Sequence, residues 1–515
     1  MTDQLSVNHT RPTTVEPSAG SSTTADPLES PELTESPELA NWSEAPEAPE
    51  STVWPANFDW DGFGFETRQV HAGEYDEPSH GARITPIYLS NAFRQESFDG
   101  TADRFSGAVD GHSYSRHRNP TNEVAERRIA SLEGGAGAIV VGSGQAAITM
   151  TMLGLLEAGD HLVSASSIYN GTRVLFSRAF ARLGISVTFV DDAEDEAAWE
   201  AAVRDETKAI FAETIPNPRN NVIDLALVSR VAKRHGIPVV VDNTVATPYL
   251  IRPLEHGADI VIHSSTKFLS GHGAVMSGVI VDGGIFDWTA TSRKYPLLTD
   301  SQAPGKPSFL DTFGIEHAFE HYLRLTAVND FGPALSPFNG FLLQQGIETL
   351  SLRMERHVDN ARAIALWLAE QPEVISVDYS GLPGHPLADV AERLYGGRTG
   401  SVFAFTVHGG QAGAKAFIDR VQVFSRMTNI GDVRSMVLHP ATTTHLTLTP
   451  EHRARLGIVD GLIRLSVGIE SIDDLLFDVR AGLAAVAAAG LVPATVEAAD
   501  ADVAPAEPEL ADITS

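Results

Sequence analysis

Residues 238–267 read PVVVDNTVATPYLIRPLEHGADIVIHSSTK and contain two short apolar runs, VVV and IVI, each followed by polar residues. Runs that are apolar throughout are typical of strands buried on both faces, as in a parallel sheet covered by helices. An amphipathic helix pattern, DLALVSRVAKRHG (224–236), precedes the first run, and a strand-like segment, AIFAET (209–214), precedes that helix. This order predicts successive strands and a crossover helix of one parallel sheet.

The same alternation extends toward the N-terminus. Strand patterns occur in AIVV (138–141), HLVSA (161–165) and ISVTFVD (185–191). Helical patterns separate them, as in AAITMTMLGLLEAG (146–159) and VLFSRAFARLG (174–184). The repeated order of strand and helix predicts an α/β fold, with a mainly parallel sheet in a large domain over residues 121–320.

The pattern changes after about residue 320. A long helical pattern over 340–371 is followed by strand-like SVFAFTV (401–407) and GLIRLSVG (461–468). These segments predict a smaller C-terminal α/β domain over residues 321–488. Residues 57–120 form a separate N-terminal segment ahead of the large domain.

Both ends of the chain have a different composition. Residues 1–56 are rich in Pro, Glu, Ser and Thr, and residues 489–515 are rich in Ala, Asp and Glu. Such segments bury too little apolar surface to offset the entropy of ordering them. We therefore expect two disordered acidic tails, whose simplest role is to keep the protein in solution.

Composition excludes several classes of protein. The chain has 515 residues, 43% hydrophobic residues, no cysteine and a net charge of −30. No apolar run approaches the ~20 residues of a membrane span, and the acidic balance disfavours nucleic acid as a partner. Because the chain has no cysteine, we expect no disulfides and no thiolate metal sites. The sequence also lacks an HExxH motif or a comparable metal-binding spacing, so no metal site is predicted. A cytoplasmic enzyme fits these observations best.

The segment HSSTKFLSGHG (263–273) contains the strongest chemical signal. Lys267 follows an apolar strand, where lost solvation would lower its pKa and make the amine a nucleophile. Ser264 and Thr266 lie close enough in sequence to offer hydroxyl groups to a phosphate. A lysine that merely ends a strand is the competing interpretation.

Asp242 ends the preceding apolar strand. In a parallel sheet, Asp242 and Lys267 would both lie at carboxyl strand ends, where such folds bind ligands. A carboxylate there can pair with a protonated pyridine nitrogen, and a lysine can form a Schiff base. Alone, Asp242 could simply begin a turn, so the pair is the more informative signal.

The turn GSGQ (142–145) opens a predicted helix, and the amide groups of Gly144 and Gln145 could hold a phosphate there. The same residues fit a dinucleotide-binding fingerprint, which makes a nicotinamide oxidoreductase the rival hypothesis. That fingerprint expects an acid at the end of the next strand, and HLVSASSIYN (161–170) has none. The dinucleotide hypothesis therefore fails its own test.

Four other residues are candidates. Tyr169 follows a strand and could stack on a planar cofactor, whereas a tyrosine in a surface loop is the ordinary alternative. Tyr114 and Arg116 form a polar and basic patch ahead of the first strand. Arg464 lies within an apolar strand, and because an unpaired buried guanidinium is costly, it should meet an anion. That anion is either an internal acid or a substrate carboxylate.

Together these motifs resemble the Cys/Met-metabolism family of pyridoxal-phosphate (PLP) enzymes, from about residue 65 to about residue 483. The resemblance is carried, in chain order, by YSRHRNPT, GSGQAA, ETIPNP, VVVDNT, HSSTKFLSGHG and RLSVGIE. It implies the type I, aspartate-aminotransferase-like PLP fold. Within the family, the segments at 279–288, 336–357 and 429–445 are most similar to O-acetylhomoserine sulfhydrylases. The acidic tails depart from the family pattern.

The resemblance implies a role for each matching residue. Lys267 would be the Schiff-base lysine and proton carrier, Asp242 the partner of the pyridine nitrogen, and Tyr169 the stacking ring. The other residues implied for the cofactor are Gly144, Gln145, Ser264, Thr266 and Asn217, with Tyr114 and Arg116 reaching the phosphate of a neighbouring subunit. Arg464 and Asn429 would bind the substrate.

The reaction implied is γ-replacement on O-acetylhomoserine with sulfide, which yields homocysteine and acetate for methionine biosynthesis. Cystathionine γ-synthase, γ-lyase and O-succinylhomoserine sulfhydrylase activities are the alternatives within the family, and methanethiol is an alternative sulfur donor. A homodimer or homotetramer with shared active sites is expected. An acidic scaffold protein, the non-enzymatic alternative, would require the lysine, aspartate and glycine arrangement to be accidental.

Overall fold

The computed structural model describes residues 58, 60, 62–75, 77, 80–106, 109, 111–290 and 294–493. The predicted tail at residues 1–56 lies outside these residues, as do residues 494–515 of the predicted C-terminal tail. Within the described residues, no helix combines the length and the apolar character needed to cross a membrane.

Two sheets organise this part of the chain. The strands of the large sheet are β1 Gly137–Val141, β2 His161–Ala165, β3 Ser186–Val190, β4 Thr207–Glu213, β5 Val239–Asp242, β6 Ile260–His263 and β7 Gly278–Asp282. The strands of the small sheet are β8 Val374–Asp378, β9 Val402–Val407, β10 Ser425–Arg426, β11 Met436–Leu438 and β12 Leu462–Ser466.

Helices connect and cover the strands. Those up to the end of the large sheet are α1 Phe65–His71, α2 Phe98–Ser106, α3 Pro120–Glu133, α4 Gly144–Leu155, α5 Asn170–Val174, α6 Glu196–Ala202, α7 Leu225–His235 and α8 Thr247–Leu250. Those after it are α9 Pro296–Thr299, α10 Phe309–Leu323, α11 Asn329–Phe331, α12 Pro337–Ile347, α13 Leu350–Leu368, α14 Ala388–Tyr395, α15 Gly410–Arg420, α16 Pro450–Arg455 and α17 Ile472–Ala488. Short π-helical turns follow α5 and α10, at Leu175–Phe180 and Arg324–Val328, and 3-10 turns occur at Pro253–His256 and Pro440–Thr442.

The large sheet has the strand order β1-β7-β6-β5-β4-β2-β3. All neighbouring pairs from β6 to β3 are parallel, and only β7 runs antiparallel to its two neighbours, β1 and β6. The predicted mainly parallel sheet is therefore confirmed. The small sheet has the order β10-β11-β12-β9-β8 and is antiparallel except for the pair β10 and β11.

This topology brings three polar strand ends together. Strands β4, β5 and β6 are adjacent and parallel, so their carboxyl ends meet at one edge of the sheet. Glu213 at the end of β4 stands opposite Asp242 at the end of β5. The turn that carries Lys267 follows β6 directly. The interiors of these three strands are apolar and buried. The polar side chains are therefore concentrated at the carboxyl ends of the strands.

Two apolar cores match the two sheets. One surrounds the large sheet and the other the small sheet, with Phe403 and Phe405 of β9 among the buried residues of the second. The core of the large sheet also includes Leu343 and Ile347 of α12, which come after residue 320. The proposed division of the chain at residues 320 and 321 stays a prediction.

The helical pattern predicted over 340–371 is interrupted. Helix α12 ends at Ile347 and α13 begins at Leu350, because Thr349 leaves the helical region with φ −117° and ψ 16°. The helix predicted over 146–159 also differs, since α4 runs from Gly144 only to Leu155. Neither change moves a strand.

Candidate active site

A cavity of about 680 Å³ opens at the carboxyl ends of β4, β5 and β6. Most of the predicted site residues line it, namely Gly144, Gln145, Tyr169, Asn217, Asp242, Ser264, Thr266, Lys267 and Arg464. These residues are separated by as many as 320 positions (from Gly144 to Arg464), and the fold brings them together.

Lys267 lies in the turn after β6 and points into this cavity. Its Nζ donates a hydrogen bond to Oδ1 of Asn429. Burial and, to a smaller extent, the positive charge of Arg464 together lower the pKa of Lys267 from 10.5 to about 8. A substantial fraction of the amine is therefore neutral near physiological pH, as a nucleophile or base requires.

Asp242 is buried and accepts a hydrogen bond from the main-chain N–H of Thr244, at 2.9 Å. Burial raises the pKa of Asp242, while the hydrogen bonds from Thr244 and the nearby imidazole of His263 act in the opposite direction. These two interactions stabilise the charged carboxylate. A carboxylate in this position is suited to pairing with a protonated ring nitrogen.

The amino end of α4 forms one wall of the cavity. Ser143 caps this helix by accepting a hydrogen bond from the N–H of Ala146, at 3.1 Å. Within the described residues, the N–H groups of Gly144 and Gln145 donate to no main-chain or side-chain acceptor. Free amide groups at a helix N-terminus are suited to a phosphate.

Gly144 is required by close packing at this wall. A Cβ atom at Gly144 would lie 2.4 Å from Cβ of Ser264 and 2.7 Å from its Cα. The helix therefore approaches the turn after β6 as only glycine permits. The approach places the amide groups of α4 beside Ser264.

The hydroxyl groups of Ser264 and Thr266, both in the turn after β6, differ in their hydrogen bonds. Thr266 donates its hydroxyl to the carbonyl of Ser277 and accepts from the N–H of the same residue, each at 3.0 Å. No protein partner for the hydroxyl of Ser264 occurs in the described part of the chain, and its N–H donates to Thr244 Oγ1 at 2.7 Å. Ser264 is therefore the better placed of the two to donate to a phosphate.

Arg464 is 2% exposed and lies in β12 of the small sheet. Its Nη2 donates to the carbonyl of Asn429 at 2.8 Å, and its Nη1 donates to Oδ1 of Asn217 at 3.4 Å. Its Nε is buried without a hydrogen-bond partner, and no acidic side chain among the described residues pairs with it. Burial accordingly lowers the pKa of Arg464 to about 10. From the sequence, either an internal acid or a substrate carboxylate was expected beside Arg464. Among the described residues, no internal acid occupies that position.

Tyr169 and Asn429 complete the arrangement. Tyr169 lies in the loop after β2 with about half of its side chain exposed, and it lines the cavity. Asn429 contacts both positive residues of the cavity, Lys267 through its side chain and Arg464 through its carbonyl. Asn217 precedes a cis proline, Pro218.

Tyr114 and Arg116 lie apart from the cavity. Both are exposed, and the Arg116 guanidinium lies 5.1 Å from the centre of the Tyr114 ring. Nε of Arg116 donates to Oδ1 of Asn329 at 3.3 Å. Neither residue lines the cavity of its own chain.

The sequence prediction missed several polar residues of the cavity wall, among them Glu213 and Thr244. Glu213 ends a buried strand just as Asp242 does, so the rule that selected Asp242 could have selected it as well. Its side-chain Oε1 accepts the main-chain N–H of Tyr169, at 2.7 Å. Thr244 follows Asp242 within the motif VVVDNT and had no signal of its own.

These residues fit pyridoxal phosphate. The free amide groups of α4 and the hydroxyl of Ser264 suit its phosphate, Asp242 its ring nitrogen, and Lys267 its aldehyde. Gly144 leaves the space that a Cβ would fill. The fold and the cavity thus define a pyridoxal-phosphate-dependent enzyme of the type I fold.

Comparison with known proteins gives the family. The sequence pattern of the family described as "Cys/Met metabolism PLP-dependent enzyme" matches residues 66–484. This chain belongs to that family. The predicted family, fold and cofactor are confirmed.

Individual relatives are similar over most of their length. An O-acetyl-L-homoserine sulfhydrylase of Corynebacterium glutamicum is 44% identical over 436 residues, which cover 84% of this chain and 99% of the relative. An L-methionine gamma-lyase of Pseudomonas putida is 40% identical over 424 residues, covering 82% and 98%.

A solved structure from Campylobacter jejuni, proposed to be an O-acetylhomoserine (thiol)-lyase, has a TM-score of 0.78 and 33% identity to this chain. The match covers 82% of this chain and 100% of that one, which carries N'-pyridoxyl-lysine-5'-monophosphate.

Proposed function

We propose that this enzyme replaces the acetate group of O-acetyl-L-homoserine with sulfide and releases L-homocysteine and acetate, as a step of methionine biosynthesis. The supporting observation is that a neutralisable amine, Lys267, and an unpaired buried guanidinium, Arg464, face one cavity. Similarity to an O-acetyl-L-homoserine sulfhydrylase over 84% of the chain supports this choice of substrate. When bound, pyridoxal phosphate would supply an electron sink for the α-carbon of the substrate.

Lys267 moves the protons in this proposal. Its amine, with a pKa lowered to about 8, removes the α-proton and releases it to solvent, which restores the neutral amine. The same amine then removes a β-proton, so that acetate leaves from the γ-carbon with its electron pair. Sulfide adds at the γ-carbon, and the protons return to the carbon skeleton. Oδ1 of Asn429 accepts a hydrogen bond from the amine and thereby stabilises its protonated form.

Arg464 and its neighbours orient the substrate. Among the described residues, the guanidinium of Arg464 uses two of its five N–H groups, one from Nη1 to Asn217 and one from Nη2 to Asn429, so that further N–H groups remain for the α-carboxylate. A charge-assisted hydrogen bond in so buried a place is stronger than a neutral one. Asn217 also lies on the cavity wall, where its side chain can face an oxygen of the cofactor.

The cofactor is held by the remaining residues. Asp242 would pair with the ring nitrogen and Tyr169 would stack on the ring, while Gly144, Gln145 and Ser264 would bind the phosphate. Thr266 supports the same turn through its two hydrogen bonds to Ser277.

The active site is shared between subunits in this proposal. Lys267 and Arg464 are the only lysine and arginine on the cavity wall within the described residues, and both already have other roles. Tyr114 and Arg116 are exposed and therefore free to reach the phosphate of a second subunit. We accordingly propose a homodimer, or a homotetramer of two such dimers, in the cytoplasm.

The test is an assay of the purified protein with pyridoxal phosphate. O-acetyl-L-homoserine and sulfide should give homocysteine much faster than O-acetyl-L-homoserine and cysteine give cystathionine. Lys267→Ala should lose turnover by several orders of magnitude, because the covalent link and the base vanish together. Reversed rates would favour cystathionine γ-synthase, and a preference for the succinyl ester would favour O-succinylhomoserine sulfhydrylase. Faster breakdown of L-methionine than synthesis of homocysteine would favour γ-lyase.

A further inference from the structure

Glu213 is a buried carboxyl group on the cavity wall to which the proposed reaction gives no role. It is the last residue of β4 and is 6% exposed. In the register of the sheet it stands opposite Asp242, the last residue of β5. Two acidic side chains thus end neighbouring buried strands beside one cavity.

One hydrogen bond connects Glu213 to the loop after β2. Its Oε1 accepts the main-chain N–H of Tyr169 at 2.7 Å. Tyr169 immediately precedes helix α5, and its side chain makes no capping hydrogen bond to that helix. Because the ring of Tyr169 is half exposed, packing alone constrains it weakly. The bond to Glu213 therefore fixes the main chain from which this ring projects.

Glu213 and Asp242 compete for one negative charge. Burial and, next to it, the charge of Asp242 raise the pKa of Glu213 well above its ordinary value, while the hydrogen bond from the N–H of Tyr169 acts in the opposite direction. Asp242 receives support from the N–H of Thr244 and from His263 on β6. Adjacent buried carboxyl groups do not both ionise readily, so the better supported one keeps the charge.

The other titratable groups of the cavity wall do not reverse this assignment. They are Lys267, Arg464 and Tyr169. The amine of Lys267 is bound to Asn429, and the guanidinium of Arg464 is bound to Asn217 and Asn429. No ion pair to Glu213 occurs among the described residues, which leaves it without a positive partner.

We propose that Glu213 is a positioning residue, which as a neutral carboxylic acid fixes the main chain of Tyr169 over the cofactor ring and leaves Asp242 as the only carboxylate facing that ring. This inference rests on the cofactor roles proposed above for Asp242 and Tyr169. It assigns Glu213 no contact with the substrate.

Two substitutions separate anchoring from charge. Glu213→Gln keeps a carbonyl oxygen for the N–H of Tyr169 and cannot ionise, so it mimics the neutral acid. Glu213→Ala removes the acceptor. If Glu213→Ala fails to fold by far-ultraviolet circular dichroism, Glu213→Met removes the acceptor while keeping the volume.

The readouts are the affinity for pyridoxal phosphate, the visible circular dichroism of the bound cofactor and the pH midpoint of its visible absorbance band. We expect Glu213→Gln to match wild type in all three, with affinity within about twofold. Glu213→Ala should bind the cofactor about fivefold to tenfold more weakly, as expected for one lost hydrogen bond, and its visible circular dichroism should fall.

Two results would contradict a neutral, anchoring Glu213. A negative charge near the cofactor stabilises the protonated, positive form of its link to lysine, and removal of that charge lowers the pH midpoint. If Glu213→Gln lowers the midpoint by about half a unit or more, Glu213 is ionised and the proposal is wrong. Equal affinity and dichroism for Glu213→Ala and wild type would also overturn it. These readouts need no substrate, so a protein that binds the cofactor yet does not convert O-acetylhomoserine would contradict only the proposed reaction.

Discussion

Two features of the structure lower the pKa of Lys267. The amine is largely buried, and Arg464 places a positive charge nearby. Both effects disfavour the ammonium form, so the pKa falls from 10.5 to about 8. The same arginine that binds the substrate carboxylate in our proposal therefore also prepares the lysine to act as a base.

This coupling can be measured without substrate. The amine must be neutral to attack an aldehyde, so the rate at which the apoprotein takes up pyridoxal phosphate should rise with pH, with a midpoint near 8. Arg464→Met removes a positive charge and should move the midpoint upward. The shift should be partial, because burial is the larger cause.

Stopped-flow absorbance between about pH 6 and pH 10 would give these midpoints. Arg420→Met is the matched control, because Arg420 is exposed at the end of α15, does not line the cavity and has no role in the proposed shared site, so this variant should leave the midpoint unchanged. A midpoint that falls in Arg464→Met would contradict the electrostatic coupling.

At the scale of elements, the start of α4 and the turn after β6 form one unit. Gly144→Ala would place a Cβ atom 2.4 Å from Cβ of Ser264, so helix and turn must separate. The free amide groups and the hydroxyl of Ser264 would then no longer face one phosphate. We expect a loss of about fivefold to about 160-fold in affinity for pyridoxal phosphate, since overpacking of this kind costs about 1–3 kcal/mol.

Gly142→Ala is the control for this substitution. A Cβ atom at Gly142 would lie 3.5 Å from the nearest atom, the carbonyl oxygen of Pro333, which is an ordinary contact. Its cofactor affinity, measured by the same absorbance titration, should stay within about twofold of wild type. Equal losses in the two variants would show that the close approach of Gly144 to Ser264 is not the cause of the loss.

Elements defined by local pattern were predictable from the sequence. The strands that end at Asp242 and His263 were found because their apolar runs are short and bounded by polar residues. The break between α12 and α13 was not predictable in this way. Arg353 of α13 donates to the carbonyls of Phe268 at 2.7 Å and Gly346 at 2.6 Å, which fixes the start of that helix against the turn after Lys267.

Such contacts cannot be read from a window of sequence, since Arg353 and Phe268 are 85 residues apart. The same limit applies within the site. The type of residue and its place after a strand indicated Lys267 and Asp242. By contrast, the hydrogen bonds of Asn429 to Lys267 and Arg464 depend on how the small sheet packs against the large one.

The net charge of the protein opposes the binding of a negatively charged cofactor. A phosphate dianion must bind in a chain whose net charge is −30. Among the described residues, the cavity wall supplies one lysine and one arginine, and our proposal assigns both to other tasks. Arg116 has the planar guanidinium that suits phosphate, yet it lies outside the cavity of its own chain. A second subunit resolves this difficulty if its Arg116 completes the site.

The last prediction tests that sharing by complementation. Lys267→Ala and Arg116→Ala are each expected to be nearly inactive, and the two are co-expressed at equal levels. If Arg116 acts across the interface, a mixed dimer has one site with both defects and one site with neither. Random pairing makes about half of the dimers mixed, so about a quarter of all sites should work.

If Arg116 instead serves its own chain, every site keeps one defect, and activity stays at the level of the single variants. The comparison therefore does not depend on how much activity the wild type has. Gel filtration of the mixture should show a dimer, or a tetramer built from dimers, and a strictly monomeric active enzyme would exclude the shared site. Recovery of about a quarter of wild-type activity, against almost none in either variant alone, is the result that only a site built from two chains can give.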